Sequence, residues 1–423
     1  MKNVSLLVIS ALCLSAALYW GCGISGSGQA ASYSMANRCS AGGAARSNNF
    51  VLQAEKFSAG RAVFEQFPLA DSSGLTCILP LDQVNMAFAT ENGYLGIGNS
   101  SLIRWCIKVD EGRGYVAAGM CRDSAGTLYA VTTSGAMVAI SSQGSILWKK
   151  QLIPASAHST VWLDLLALPD GIVAAADSMI FKVSLQGAIM WQQIRSSVPV
   201  HMLSADSYGN IVSAQSLCTP GATDTLVCWN PDGILRWKAV LPFVRLTTQP
   251  LSIGRRMIVG GVRIEANQRT PVLFCFGDDG AKCWETALPE TPRFLSADDS
   301  MLFIVASEPR FSEKARTQLL GLSREGHKLW SLYVSARAAA PLLVSSTNLG
   351  FLGVHEDAAA DFMLFGKNGV LENTLSFADA QDAAGSMAFL PQPAVLDGGD
   401  IVFPCSQKSG IVLVGAKRSF LAF

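Results

Sequence analysis

Charge is scarce in this chain and what there is cancels: Asp, Glu, Lys and Arg make up 15% of 423 residues, and the formal net charge is zero. Nucleic-acid binding demands a concentrated basic footprint, and docking to anionic lipid demands a polybasic patch; neither cluster occurs. Histidine is nearly missing. The four present, His158, His201, His327 and His355, stand far apart, and without a CxxC or HExxH spacing no stretch encodes a metal centre. There is no Walker loop to cradle phosphate and no GxSxG elbow to present a serine nucleophile. The one GxGxxG string, Gly21 to Gly26, precedes no helix or crossover and so lacks the frame of a dinucleotide site. Acidic turns at Asp278-Asp279-Gly280, Asp298-Asp299 and Asp397 to Asp400 show no convergence of the six to eight oxygens calcium takes, and read as turn residues.

What is abundant is apolar: half of the residues are hydrophobic, enough for one large domain. At the amino terminus Lys2 precedes the apolar run Val4 to Leu18, which reads as an export signal, short for a membrane-spanning helix. Gly21 directly before Cys22 matches the end of a lipoprotein signal, so Cys22 is the expected lipidation site, with cleavage after Ala30 as the alternative. The expected order is a signal over residues 1–21, a Gly/Ser/Ala-rich tether over 22–59, and a folded domain over 60–423. Export implies an oxidising compartment, where three cysteine pairs become candidate disulfides: Cys218 with Cys228 flanking a hairpin, Cys275 with Cys283 across a glycine turn, and Cys106 with Cys121 on consecutive strands. The alternative for each is a buried thiol acting as a small hydrophobe.

The strongest pattern is a repeat. Trp105, Trp148, Trp191, Trp237, Trp284 and Trp330 recur every 43 to 47 residues, and from Trp148 onward each follows a glycine by four positions (Gly144, Gly187, Gly233, Gly280, Gly326). Gly60 to Phe64 precedes the series, Gly369 to Asn373 follows it, and Phe423 holds the last equivalent place. The unit ending at Trp191 divides into four apolar runs, 161–168, 171–176, 179–183 and 188–194, separated by turn residues. Four short strands at a period of about 40–45 residues make a β-propeller blade. Eight intervals predict an all-β propeller of eight four-stranded blades, with seven as the alternative, and residues 61–69 are expected to close the ring as an outer strand beside the C-terminal hairpin. The repeated tryptophan is expected to pack between neighbouring blades, where truncation to alanine costs about 3–5 kcal/mol.

Binding on such a scaffold falls to loops. The connections between second and third strands lengthen at 218–224, 265–270, 308–318 and 355–361, and they share a face with the connections between blades. That face is the expected partner surface. Glu308, Arg310, Phe311, Lys314 and Arg316 are its candidate contacts, since Arg and aromatic side chains dominate interface hot spots.

The segments Ala139 to Trp148 and Trp229 to Trp237 resemble the PQQ-like (quinoprotein-type) propeller repeat. Quinoprotein dehydrogenases with this repeat hold a quinone on calcium and usually carry an adjacent cysteine pair, which this chain does not have; Ser141 and Gly277 also replace the repeat's usual Asp or Asn. Size and the lipoprotein signal make the chain most similar to the BamB-like outer-membrane assembly lipoproteins. That resemblance implies a non-catalytic, cofactor-free and monomeric scaffold of the bacterial cell envelope, anchored by lipid, facing the periplasm and serving the β-barrel assembly machine. A PQQ- and calcium-dependent oxidoreductase, or an envelope propeller with another ligand, is the alternative.

Overall fold

The computed structural model describes residues 61–415 except 67, 70–73, 83–84, 100, 110–115, 133, 155–161, 177–178, 195–199, 207, 216–222, 267, 308–315, 356–358, 378–392, 396–399 and 405–409. Cys22 and the amino-terminal segment therefore lie outside the described residues.

The described residues form eight antiparallel sheets, six of four strands and two of five. In chain order, blades 1 to 7 span 75–108, 116–151, 162–194, 200–241, 244–287, 292–334 and 337–376. Blade 8 takes three strands from 394–415, and its fourth is Arg61–Gln66, which runs antiparallel to Gly410–Gly415 with Arg61 opposite Gly415. The expected closing strand is thus present, ending at Gln66. Closure removes the exposed edge that an open row of sheets would leave.

Burial follows strand position within a blade. In blade 2 the second and third strands, Leu128–Thr132 and Ala136–Ile140, are buried at every residue, while the fourth, Ile146–Gln151, is largely exposed. Middle strands are covered on both faces by neighbouring sheets, which is why they read as continuous apolar runs without alternation. First strands of successive blades run against each other around the axis, and the fourth strands form the rim.

The core is accordingly divided into slabs between blades. Cys121, Tyr129 and Ala139 of blade 2 pack on Leu165, Ile172 and Phe181 of blade 3, and comparable slabs fill the later junctions. Blade 8 closes on blade 1 through Val402 and Ile411 against Leu75, Ile78 and Phe88. At the junction of blades 7 and 8, where Asn373 stands in the tryptophan's place, Phe362 and Phe377 pack on Phe403 with ring centroids 5.7 and 5.9 Å away.

Two blades depart from four strands, each through an interruption of its inner strand next to a proline. Blade 5's inner strand is split into Val244–Leu246 and Leu251–Ile253 around Pro250, and blade 7's into Arg337–Ala338 and Leu343–Val344 around Pro341. In blade 5 the break opens as a bulge, Thr247 and Thr248 both giving their N–H to the Gly260 carbonyl; proline has no N–H to give the ladder, and regular pairing resumes beyond it.

Candidate functional site

The repeated tryptophans sit at the rim, each reaching into the next blade. Their indole Nε1–H groups donate to backbone carbonyls two residues before the neighbour's turn glycine: Trp105 to Ser142, Trp148 to Leu185, Trp191 to Pro231, Trp284 to Arg324 and Trp330 to Lys367, at 2.7–3.1 Å. The turn glycine of that neighbour lies flat on the ring. A β-carbon at Gly144, Gly187, Gly233, Gly280, Gly326 or Gly369 would stand 2.7–2.9 Å from the indole of the preceding blade, and all six glycines have φ between 79° and 89°. Glycine is thus required twice, for the left-handed turn and for the close approach. Sequence reading assigned it only the turn; the near-constant spacing from each tryptophan to the following glycine was the signal of the second role.

Trp237 is the exception. Its Nε1 is buried without a hydrogen-bond partner, although a β-carbon at Gly280 would stand 2.7 Å from its ring, as at the other junctions. The surroundings of this junction between blades 4 and 5 are unusual in other ways. Leu235–Leu241 passes into Val244–Leu246 through Pro242 and Phe243, and Phe243 has φ 60°, a left-handed conformation that bulky side chains rarely hold. Ile264 donates its N–H to the Phe243 carbonyl at 2.7 Å, and Val240, Phe243 and Ile264 are all exposed. The hairpin of Arg256–Glu265 and Gln268–Phe276 runs past the flanking strands, turning at Ala266 with φ 47°.

Beside it lies a cavity of about 320 Å³ lined by Val240, Leu241, Pro242, Phe274 and Phe276, with Arg263, Lys282 and Glu285 as its charged groups. Arg263 pairs with Glu285 at 2.6 Å and lies over the Phe274 ring, while Lys282 reaches Glu285 at 2.9 Å. Burial opposes ionisation of Glu285, but the two cations together outweigh it and hold its carboxyl below the usual range.

Strand alternation places Phe243 and this hairpin on the same face as the other long connections. Of the candidate partner contacts, Glu308, Arg310, Phe311 and Lys314 lie outside the described residues. Arg316 is described: its guanidinium stacks on the exposed Tyr333 ring at 3.5 Å. Further round the face, His355 is held between Asp361, at 2.8 Å from Nε2, and the Ser335 carbonyl.

The cysteine expectations change. Cys106 is on the exposed fourth strand of blade 1 and buried Cys121 on the first strand of blade 2, two strands in different sheets that do not pair; consecutive order in the chain put them at opposite edges of their blades. Cys218 lies outside the described residues. Its proposed partner Cys228 is a buried thiol pushed up to about 12 by desolvation and by Asp206 nearby. Cys275 and Cys283 are both thiols.

Two of the acidic turns serve the backbone, while Asp397 of the third lies outside the described residues. Asp279 accepts the Ala281 N–H, and Asp298 accepts from Ser300 and Met301 while its other oxygen pairs with Lys367 of the next blade. Lys182, fully buried, likewise bridges blades by donating to Asp170 and to the Pro231 carbonyl that also receives the Trp191 indole. Among the described residues no three His, Cys, Asp or Glu side chains converge as a metal-holding group.

Residues 103–248 match the family model described as outer membrane protein assembly factor BamB, a stretch from the rim of blade 1 into the start of blade 5. Among solved structures, BamB from Moraxella catarrhalis superposes with a TM-score of 0.59 at 13% identity, covering 85% of this chain and 99% of that one. Sqt1 from Saccharomyces cerevisiae gives 0.59 at 11% identity over 85% and 100%, and the Dos1 propeller 0.57 at 11% over 87% and 97%. A search of curated proteins finds no match.

Proposed function

The chain is a PQQ-like β-propeller, and on that premise we propose that it is a non-catalytic protein-interaction scaffold of the bacterial cell envelope, anchored through Cys22 and serving outer-membrane β-barrel assembly. The observation that carries the reading is the match of residues 103–248 to the BamB model. It is supported by the structural use of several charged side chains: Lys182, Asp298 and Lys367 join neighbouring blades, and Glu285 is paired with Arg263 within blade 5. The partner surface is the face of long connections, combining residues 308–316 with the exposed apolar cluster Val240, Phe243 and Ile264. Aromatic anchors beside a cavity and a nearby Arg are the composition of an interface hot spot.

Crosslinking in the native envelope, followed by mass spectrometry of the products, tests this. The expected result is recovery of β-barrel assembly components, with yield falling at least tenfold in Phe243→Ser and when 308–316 is replaced by a short Gly/Ser loop. Recovery of unrelated proteins, or of assembly components at unchanged yield in both variants, would overturn the partner or the face respectively.

A further inference from the structure

In blade 5 the strands Gln268–Phe276 and Lys282–Ala287 pair around a bulge: Cys275 lies opposite Trp284, Phe276 opposite Lys282, and Cys283 is the extra residue between them. A bulge re-aims the side chain it carries. Gly277 is two residues beyond Cys275 and so shares its side of the strand. A β-carbon there would stand 3.7 Å from the Cys283 sulfur, which places that sulfur over the Cys275 side of the sheet. The Cys275 thiol lies 4.0 Å from the Phe276 carbonyl and the Cys283 thiol 3.8 Å from the Ala281 carbonyl, so both sulfurs sit at the turn end of this strand pair. The equivalent turn position holds Ser141, Ser184, Asn230 and Ser323 in blades 2, 3, 4 and 6 and glycine in blades 5 and 7, so Gly277 puts no side chain of its own against the sulfur.

We propose that Cys275 and Cys283 are an oxidisable dithiol site, closed to an intramolecular disulfide by exchange with a disulfide-bonded donor. The chemistry rests on the pair itself and not on any partner of the scaffold. Cys283 is exposed and reacts first. Its thiol loses a proton, the thiolate attacks one donor sulfur, the donor's S–S bond breaks, and a mixed disulfide forms with the other donor sulfur released as a thiolate. Cys275 then loses its proton and attacks the Cys283 sulfur, so that the Cys275–Cys283 bond forms as the mixed disulfide breaks. The donor leaves as two thiols that have taken up the two protons; the protein is oxidised by two electrons and the donor reduced by two. This order follows from burial: Cys275 is fully buried and its thiol is pushed up to about 12 by desolvation and the neighbouring Cys283, which makes it a poor first nucleophile. The closed pair would tie the third and fourth strands beside Trp284, the residue that joins blade 5 to blade 6 through the Arg324 carbonyl.

The whole protein is incubated with oxidised glutathione, alkylated in denaturant and digested with trypsin without reduction. Cleavage after Arg269, Lys282 and Arg293 separates Cys275 in peptide 270–282 from Cys283 in peptide 283–293. The expected product is the two peptides joined, parting on reduction. Cys283→Ser should abolish the joined species and leave Cys275 alkylated and free of glutathione; Cys275→Ser should halt at glutathione on Cys283. Wild-type protein with glutathione on Cys283 and Cys275 still alkylated, or with both cysteines alkylated, would overturn the proposal.

Discussion

Replacing Gly233 with alanine separates the two demands made on the turn glycines. Gly233 has φ 80°, and its added β-carbon would stand 2.7 Å from Cγ and Cδ2 of Trp191. Gly126 supplies the control, with φ 85° and nothing within 4 Å. Both substitutions carry the left-handed penalty of an alanine, roughly 1–2 kcal/mol. At Gly233 the indole must also retreat by about 1 Å to regain carbon–carbon contact distance. Overpacking of that kind costs about 1–3 kcal/mol and weakens the Trp191 bond to Pro231, itself worth about 1 kcal/mol. Gly233→Ala should therefore destabilise by about 2–5 kcal/mol and Gly126→Ala by about 1–2 kcal/mol. Urea unfolding followed by tryptophan fluorescence reads both, provided the slope is unchanged. In a Trp191→Leu background the Gly233→Ala effect should fall to that of Gly126→Ala, as expected for two groups coupled by contact. Equal effects of the two alanines in the wild-type background would refute the double role of the glycine.

Trp237→Phe should be milder than Trp191→Phe by about 1 kcal/mol, because only the Trp191 indole N–H donates a hydrogen bond; the urea midpoints of the two variants decide it. Lys182→Met should change stability by no more than about 1 kcal/mol, since an apolar side chain of similar size replaces a buried charge. Asp170→Ala should be the more damaging partner, because it leaves the buried Lys182 ammonium without its counter-ion, though exposure of Asp170 softens the loss to about 1–2 kcal/mol. Burial disfavours the Asp298 carboxylate, but Lys367 with the Ser300 and Met301 donors outweighs that and lowers its pKa. The stability this contributes is complete above the unfolded aspartate pKa of about 3.9 and is lost as pH falls through the lower folded value. Lys367→Met should move that loss to higher pH and shrink it, as measured by unfolding free energy between about pH 2 and 6.

The blades were legible because two signals agree: a glycine four residues before a tryptophan, and four apolar runs between successive copies. For the unit ending at Trp191, observed strands Trp162–Leu168, Gly171–Ala176, Met179–Val183 and Ile189–Ile194 differ from the reading by one residue at two ends. What stayed hidden was lateral. Nothing in a single repeat says that its glycine supports another repeat's indole, or that Cys106 and Cys121, close in the chain, belong to opposite edges of neighbouring sheets. The inner-strand breaks at Pro250 and Pro341 were visible as prolines, yet the apolar residues on both sides kept the appearance of one run. Asn373 kept the register of the repeat without its indole, and the phenylalanines that replace that indole come from three separate strands or connections.

The exceptions to the repeat are concentrated, and that bears on where function sits. A rule kept for packing is relaxed where something other than packing decides the residue. Between blades 4 and 5 the indole of Trp237 has no acceptor, a phenylalanine occupies left-handed backbone, a hairpin overruns its neighbours, and a cavity opens along the rim. Across that blade's other strand pair, Lys282 and Cys283 replace the aliphatic residues that blades 2 and 3 expose there as Ile146, Leu147, Ile189 and Met190. Strain of this kind persists only where surrounding structure holds it, here through the Ile264 bond to Phe243. A loop such as 308–316 can vary in length without disturbing any blade, so its residue types say little about binding by themselves. Phe243 cannot be accounted for by turn formation, because glycine or asparagine would make the same turn with less strain. Of the two parts of the proposed partner surface, the blade 4–5 junction therefore carries the stronger physical argument for contact.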